Sequence, residues 1–122
     1  RGCNPVLRHV VLRKRAELQE RVRNLFARDQ LNALVFPHQQ QLVCKVGDSQ
    51  LQRNGALAAI TGFPSICLPA GFSEPSQTAP LGVPIGFELF GLPETEPLLL
   101  GLARQFETRF PKRLAPREDF WL

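Results

Sequence analysis

Apolar residues recur at helical spacing in the first quarter of the chain, and basic or acidic residues fill most positions between them. The apolar residues that share one helical face are Leu7, Val11, Leu18, Val22 and Leu25. This spacing predicts one long helix over residues 5–28, ended by the polar residues 29–32. Its charged face either binds a partner or is the solvated side of a packed helix.

A second helical pattern covers residues 94–110, near the other end of the chain. Its predicted buried stripe consists of Leu99, Leu102, Phe106 and Phe110. Thr95 or Glu96 is expected to cap this helix, and Pro97 suits its first helical position. The residues after 110 are expected to form an irregular tail, 111–122, whose Phe120 and Trp121 dock on the body.

Short apolar runs framed by glycine and proline lie between the two helices. Runs rich in Ile, Val and Phe with such borders predict buried strands. The predicted strands are residues 33–36, 65–68 and 83–90, with 42–46 as a further strand or an extended segment. The alternation in the last run predicts that Val83, Ile85, Phe87 and Leu89 face one side, with Phe90 on the other.

Turn-forming and small residues complete the predicted order of elements. The Ala-rich residues 53–61 predict a short helix ended by Gly62, and the polar residues 73–80 predict a surface loop. Residues 31–91 are therefore expected to supply the core strands and turns of a single α/β domain, covered by the two long helices.

The composition narrows the class of protein. The 122 residues carry a net charge of +4, and 43% of them are hydrophobic, which is ordinary for a globular chain. The basic residues are not interleaved with stacking aromatics and Tyr is absent, so no nucleic-acid partner is predicted. We find no membrane-span pattern and no signal peptide, and therefore no membrane partner is predicted either.

The termini and the cysteines add two further expectations. The chain begins with Arg1 and contains no Met, which predicts a cleaved, truncated or otherwise partial protein. The three cysteines, Cys3, Cys44 and Cys67, are odd in number and widely spaced, which argues against a disulfide framework. A reducing, cytoplasmic setting is therefore expected.

Candidate chemistry is sparse along the chain. No Cys or His pair has metal-ligand spacing, so neither a metal site nor a cofactor is predicted. Cys67 lies between Ile66 and Leu68, where a small hydrophobe in a buried strand is favoured over a nucleophile. No serine lies in an S-x-x-K or G-x-S-x-G motif, and no catalytic residue is predicted.

Three blocks of sequence nevertheless resemble the C-terminal part of amidase signature family hydrolases. They are NGALAAITGFPSICLPAGF at 54–72, LGVPIGFELFG at 81–91 and E-x-x-L-L-x-L-A-x-x-F-E at 96–107. The resemblance covers roughly residues 31–110 and implies a mixed-sheet amidase signature fold. It also implies that the complete enzyme cleaves a carboxamide with a Ser-Ser-Lys triad, which would lie upstream of this chain.

The resemblance further implies where a substrate would bind. The segment before T-G-F-P runs beside the pocket in this family, so Gln52, Asn54 and Gly55 are the predicted substrate-binding residues. Helix-capping and surface roles are the alternative for the same three residues. Gln52 would suit a neutral amide, because its side chain both donates and accepts hydrogen bonds.

Two functions are consistent with these patterns. In the first, the chain is inactive alone and completes an amidase together with its upstream N-terminal portion and a small amide substrate. In the second, it is a non-catalytic binding or scaffold module built on the same sheet. In the first case, apolar strand faces left uncovered would also favour self-association of the isolated chain.

Overall fold

The computed structural model describes residues 5–113, and the predicted tail beyond residue 113 lies outside the described residues. The elements in chain order are α1 (Pro5–Arg28), β1 (Leu34–Pro37), α2 (Ala56–Thr61), β2 (Ser65–Phe72), β3 (Pro84–Phe90) and α3 (Glu96–Arg109). Both long helices and the three principal strands therefore form where the apolar patterns predict them. No helix within this part of the chain combines the length and the apolar content needed to cross a membrane.

The three strands form one sheet in the order β1-β3-β2, so the last strand of the chain lies in the middle. Both pairings are antiparallel, with Leu34 opposite Phe90 on one side and Ser65 opposite Phe90 on the other. The α/β class is confirmed. The mixed sheet is not formed by these strands, because every pairing among them is antiparallel.

Helices cover the sheet on both faces. On the first face, α1 and the α2 segment enclose Phe90, which is fully buried. Its ring centroid lies 6.4 Å from that of Phe26, 6.5 Å from that of Phe36 and 6.0 Å from that of Phe63. On the second face, α3 packs against the sheet through Leu68, Leu89, Leu99 and Ala103. Phe90 and Leu89 thus point to opposite faces, as strand alternation requires.

The turn after α2 connects that helix to α1. Gly62 ends α2 in the left-handed conformation, with φ 72°, and its N–H donates to the Ala58 carbonyl at 2.7 Å. The buried Thr61 hydroxyl donates to the Leu57 carbonyl at 2.7 Å and accepts the Phe63 N–H at 3.2 Å. The Gln19 side-chain amide donates to the Thr61 carbonyl at 2.6 Å. The T-G-F block therefore ends α2 and also binds it to α1.

Several local predictions are wrong. α2 begins at Ala56 rather than 53, and β2 continues beyond Leu68 through a bulge between Pro69 and Gly71. Of the two alternatives for residues 42–46, the strand does not form. Thr95 is the N-cap residue of α3, as predicted, but its hydroxyl donates to the Leu92 carbonyl at 2.7 Å and not to a helix acceptor or N–H, so it makes no side-chain cap. Pro97 is the second residue of α3 and not the first.

The predicted apolar stripes are only partly buried. Leu7 and Val11 on α1, Ile85 at the start of β3 and Phe110 at the end of α3 are all exposed. These positions lie near the ends of their elements, beyond the two core clusters. Apolar spacing predicted the elements correctly, but it did not show which of their apolar residues other elements would bury.

Candidate functional site

The sheet register brings three chemically reactive side chains together on the α1 face. Cys67 of β2 lies directly opposite Glu88 of β3, and Phe36 of β1 lies opposite Glu88 on the other side. His38 follows β1 two positions after Phe36, and alternation therefore places it on the same face. We call His38, Cys67 and Glu88 the side-chain cluster.

The cluster centres on one ring nitrogen. His38 Nδ1 lies 3.0 Å from Glu88 Oε2 and 3.8 Å from Cys67 Sγ. The Glu88 side chain is only 2% exposed, whereas the His38 side chain is 43% exposed. In a Cys–His–acid relay, thiol and acid bond opposite nitrogens of the ring. Here both converge on Nδ1, so the arrangement is not such a relay.

The electrostatics of Cys67 also disfavour a nucleophile. Desolvation raises the pKa of the Cys67 thiol, and the negative charge of Glu88 raises it further. Reactive cysteines instead have lowered pKa values, because the thiolate is the nucleophile. That Cys67 is no nucleophile stays a prediction. The prediction that it is buried is wrong, because Cys67 lies exposed on the sheet face.

Asn54 fixes the position of His38. Its backbone N–H donates to the His38 carbonyl at 2.9 Å, and its side-chain amide donates to the Pro37 carbonyl at 2.7 Å. Gln40 Nε2 in turn donates to Asn54 Oδ1 at 3.0 Å. Asn54 therefore holds the segment that follows β1.

Gln52 precedes Asn54 by two positions and is exposed. Its carbonyl accepts the Gln40 N–H at 3.1 Å, and its φ of 59° is in the left-handed region. That conformation is uncommon for a residue with a side chain. The backbone of Gln52, rather than its side chain, joins the two segments.

Gly55 is next to the cluster itself. A Cβ atom at this position would lie 2.7 Å from His38 Cε1, 3.2 Å from His38 Nδ1 and 3.6 Å from Glu88 Oε2. The φ of Gly55 is −65°, which any residue adopts, so the requirement is for space and not for conformation. Asn54 and Gly55 thus lie at the cluster, one positioning His38 and the other leaving room for its ring.

A cavity of about 460 Å³ opens beside the cluster. It is lined by His38, residues 39–43, Cys67 and residues 84–86. The three predicted substrate-binding residues, Gln52, Asn54 and Gly55, are not among its lining residues. His38 and Cys67 connect the cavity to the cluster, and Glu88 lies behind them.

Glu88 and His38 were not singled out from the sequence. A signal for Glu88 did exist, because an acid between Phe87 and Leu89 in a strand alternates with buried Phe90. No comparable signal marked His38, which lies outside every strand. The described lysines, Lys14, Lys45 and Lys112, are all exposed, as their charged or polar surroundings predicted.

No protein-family model matches the chain. Mandelamide hydrolase of Pseudomonas putida is 33% identical to it over 92 residues, covering 69% of this chain and 17% of that protein. The chain thus spans less than a fifth of this relative's length.

Two solved structures share the fold. The crystal structure of PAM12A matches 86% of this chain and 21% of its own, with 27% identity and a TM-score of 0.67. The peptide amidase PAM, solved with the competitive inhibitor chymostatin, matches 87% of this chain and 22% of its own, with 26% identity and a TM-score of 0.64. Sequence and fold together confirm the resemblance to amidase signature family hydrolases, and the chain is homologous to amidases.

Proposed function

We propose that this chain is the C-terminal portion of a carboxamide hydrolase of the amidase signature type. Its role is to supply core strands, two packing helices and part of the substrate-pocket wall. The observation that carries the proposal is the match to amidases over most of this chain and about a fifth of their length. In this proposal the complete enzyme acts on a small amide and is located in the cytoplasm.

The catalytic Ser-Ser-Lys triad belongs, in this proposal, to the upstream portion. A lysine that accepts a proton at neutral pH must be neutral, which requires burial or a neighbouring cation. The exposed Lys14, Lys45 and Lys112 do not meet the burial condition. The complete enzyme forms an acyl-enzyme on an upstream serine and hydrolyses it.

Uncovered apolar surface supports a larger assembly. Leu7, Val11 and Leu12 are exposed along the first half of α1. On the other side of the sheet lies an apolar cleft of about 610 Å³. Eight residues line it, including Val35, Phe87 and Phe106. Surface of this kind is typical of interfaces. The upstream portion would cover it and add strands to the edges of the sheet, giving the mixed sheet of the complete fold.

Gln52, Asn54 and Gly55 form part of the substrate-pocket wall of the complete enzyme in this proposal, although they do not line the 460 Å³ cavity beside the cluster. Asn54 and Gly55 act through the segment that holds His38, whereas Gln52 offers an exposed side chain on a left-handed backbone. Gln52 is thus the residue whose chemistry would select the substrate. A neutral amide side chain favours neutral substrates over cationic ones.

The experiment that tests the pocket role is Gln52→Asp in the protein that includes the upstream portion. Aspartate tolerates the left-handed backbone, so the fold should survive. The new charge should raise kcat/KM for cationic amides relative to neutral ones by about tenfold or more, corresponding to about 1.4 kcal/mol. Gln77→Asp, an exposed glutamine in the 73–80 loop, is the matched control and should leave the ratio unchanged.

An unchanged ratio in Gln52→Asp would remove this residue from the pocket. The wider proposal has a separate test, because the chain alone should show no amidase activity. Turnover by the chain alone that is sensitive to a serine-directed inhibitor would contradict it. A natural start codon adjacent to Arg1 would favour the scaffold-module alternative.

A further inference from the structure

We propose that His38, Cys67 and Glu88 form a zinc-binding site with one coordination position open to the adjacent cavity. The proposal is independent of the proposed amidase chemistry. It rests on the donor set, the spacing of the donor atoms and the burial of the carboxylate.

The donor set suits zinc. Imidazole nitrogen, thiolate sulfur and carboxylate oxygen are the three kinds of side-chain ligand that Zn²⁺ takes in proteins. A set that includes sulfur and nitrogen disfavours Mg²⁺ and Ca²⁺, which take oxygen ligands. Each cluster residue offers one such atom, and the three atoms lie within 4.8 Å of one another.

The spacing is close to that of a tetrahedral site. Zinc–ligand bonds of about 2.0–2.3 Å at tetrahedral angles separate neighbouring donor atoms by roughly 3.3–3.7 Å. The separations here are 3.0 Å from His38 Nδ1 to Glu88 Oε2 and 3.8 Å from His38 Nδ1 to Cys67 Sγ. Small side-chain rotations would bring both pairs to the tetrahedral distance, with no backbone movement.

The burial of Glu88 favours a cation at this point. Its side chain is 2% exposed, and the hydrogen bond that the structure gives its carboxylate is to His38. A buried carboxylate is costly unless an opposite charge or strong hydrogen bonds compensate it. A zinc ion between Glu88 and Cys67 would supply that charge and would bind the sulfur as thiolate, with the thiol proton released to solvent. The neutral imidazole of His38 would carry its proton on Nε2, which leaves the Nδ1 lone pair to bind the metal.

The ligands come from three well-fixed places. Cys67 and Glu88 lie opposite each other on paired strands, and His38 is held through Asn54. Ligands on such elements keep their geometry better than ligands on independent loops. Gly55 keeps the space beside His38 open.

The open position follows from the cavity. His38 and Cys67 both line it, and three protein ligands leave the fourth zinc position for water or a small ligand. Closed structural sites have four protein ligands instead. Water or a small ligand in the cavity could therefore reach and leave the fourth position of the zinc ion. The role of the site would not be limited to stabilising the sheet.

The test uses Co²⁺ as a spectroscopic probe for the zinc site. Metal-free chain is titrated with Co²⁺ and then with Zn²⁺, while circular dichroism verifies that each sample is folded. We expect one Co²⁺ per chain, a thiolate-to-cobalt charge-transfer band, the visible bands of tetrahedral cobalt, and loss of all of them on adding Zn²⁺. A folded chain without the charge-transfer band would overturn the proposal.

Variants assign the ligands. Cys67→Ser should abolish the charge-transfer band and weaken Co²⁺ binding more than about 100-fold, beyond the 10–100-fold loss typical of outer-shell partners. His38→Gln and Glu88→Gln should each weaken it by a similar factor while keeping the band at high Co²⁺. His9→Gln and Cys44→Ser replace the other described histidine and cysteine and should leave binding unchanged. Loss of the band in Cys44→Ser, or its survival in Cys67→Ser, would refute the assignment.

A thermal measurement covers the case in which a variant unfolds during titration. Excess Zn²⁺ should raise the Tm of the unaltered chain and of both controls, because a ligand that binds only the folded state stabilises it. The same Zn²⁺ should not raise the Tm of the three cluster variants. An equal rise in all of them would mean that zinc binds elsewhere.

Discussion

Gly55→Ala tests whether the side-chain cluster depends on the space that this glycine leaves. The added methyl group would lie 2.7 Å from His38 Cε1, whereas carbon atoms in contact prefer about 3.5–4.0 Å. The ring must therefore move by about 0.8 Å or more. A shift of that size away from the methyl lengthens and weakens the 3.0 Å bond from Nδ1 to Glu88 Oε2, unless Glu88 follows.

Glu88 cannot follow freely, because it lies in the central strand and is buried. Weakening its bond to His38 leaves the buried Glu88 less well satisfied, at a cost of up to about 1–3 kcal/mol. We expect urea unfolding followed by circular dichroism to show this loss. Gly101→Ala is the matched control, because a Cβ at this exposed position in α3 meets nothing within 4 Å. Alanine there should stabilise the chain by about 0.8–1 kcal/mol.

A double-mutant cycle with His38→Ala tests the mechanism of this loss. Once the ring is absent, the methyl group has nothing to displace, and Gly55→Ala should cost less than about 0.5 kcal/mol. An undiminished cost in the His38→Ala background would refute the reasoning. It would mean that the glycine is needed for the α2 terminus and not for the cluster.

Three further predictions concern the core, the thiol and the uncovered surface. Phe90→Ala should lower the free energy of unfolding, measured in urea, by about 3–5 kcal/mol. The same change at exposed Phe110 should lower it by less than about 1 kcal/mol. Equal losses would contradict the assignment of the core. Because the pKa of Cys67 is raised on folding, the folded state holds the thiol proton longer. Stability should therefore fall as pH rises above the ordinary thiol pKa of about 8.5, and Cys67→Ser should remove this part of the slope. The isolated chain should self-associate in analytical ultracentrifugation, whereas a monomer with sharp cooperative unfolding would favour the scaffold-module alternative.

The elements themselves were largely predictable, since each depends on local sequence. The bounds of α1 follow from its 3.6-residue period, and the end of α2 follows from Gly62. Residues 42–46 were not predictable in this way. They have an apolar pattern close to that of a strand, but strand formation needs an adjacent partner, which periodicity cannot reveal.

The side-chain cluster was unpredictable for a related reason. His38 and Cys67 are 29 positions apart, and His38 and Glu88 are 50 apart, so no spacing rule connects them. They meet only because β3 lies between β1 and β2 with one particular register. A slip of one residue would turn Glu88 to the α3 face and separate the three donor atoms.

The central place of the last strand also determines the order in which the sheet can form. Phe87 of β3 pairs with Leu68, 19 positions earlier, but Phe90 pairs with Leu34, 56 positions earlier. Closing the longer loop costs more chain entropy, so the β2–β3 hairpin should fold first and β1 should join it later. At about 5–20 residues per second, the ribosome produces Leu34 roughly 3–11 s before its partner. During that interval β1 has no strand to pair with, and its backbone N–H and C=O groups stay unpaired. Molecular chaperones would therefore meet β1 as an unpaired segment.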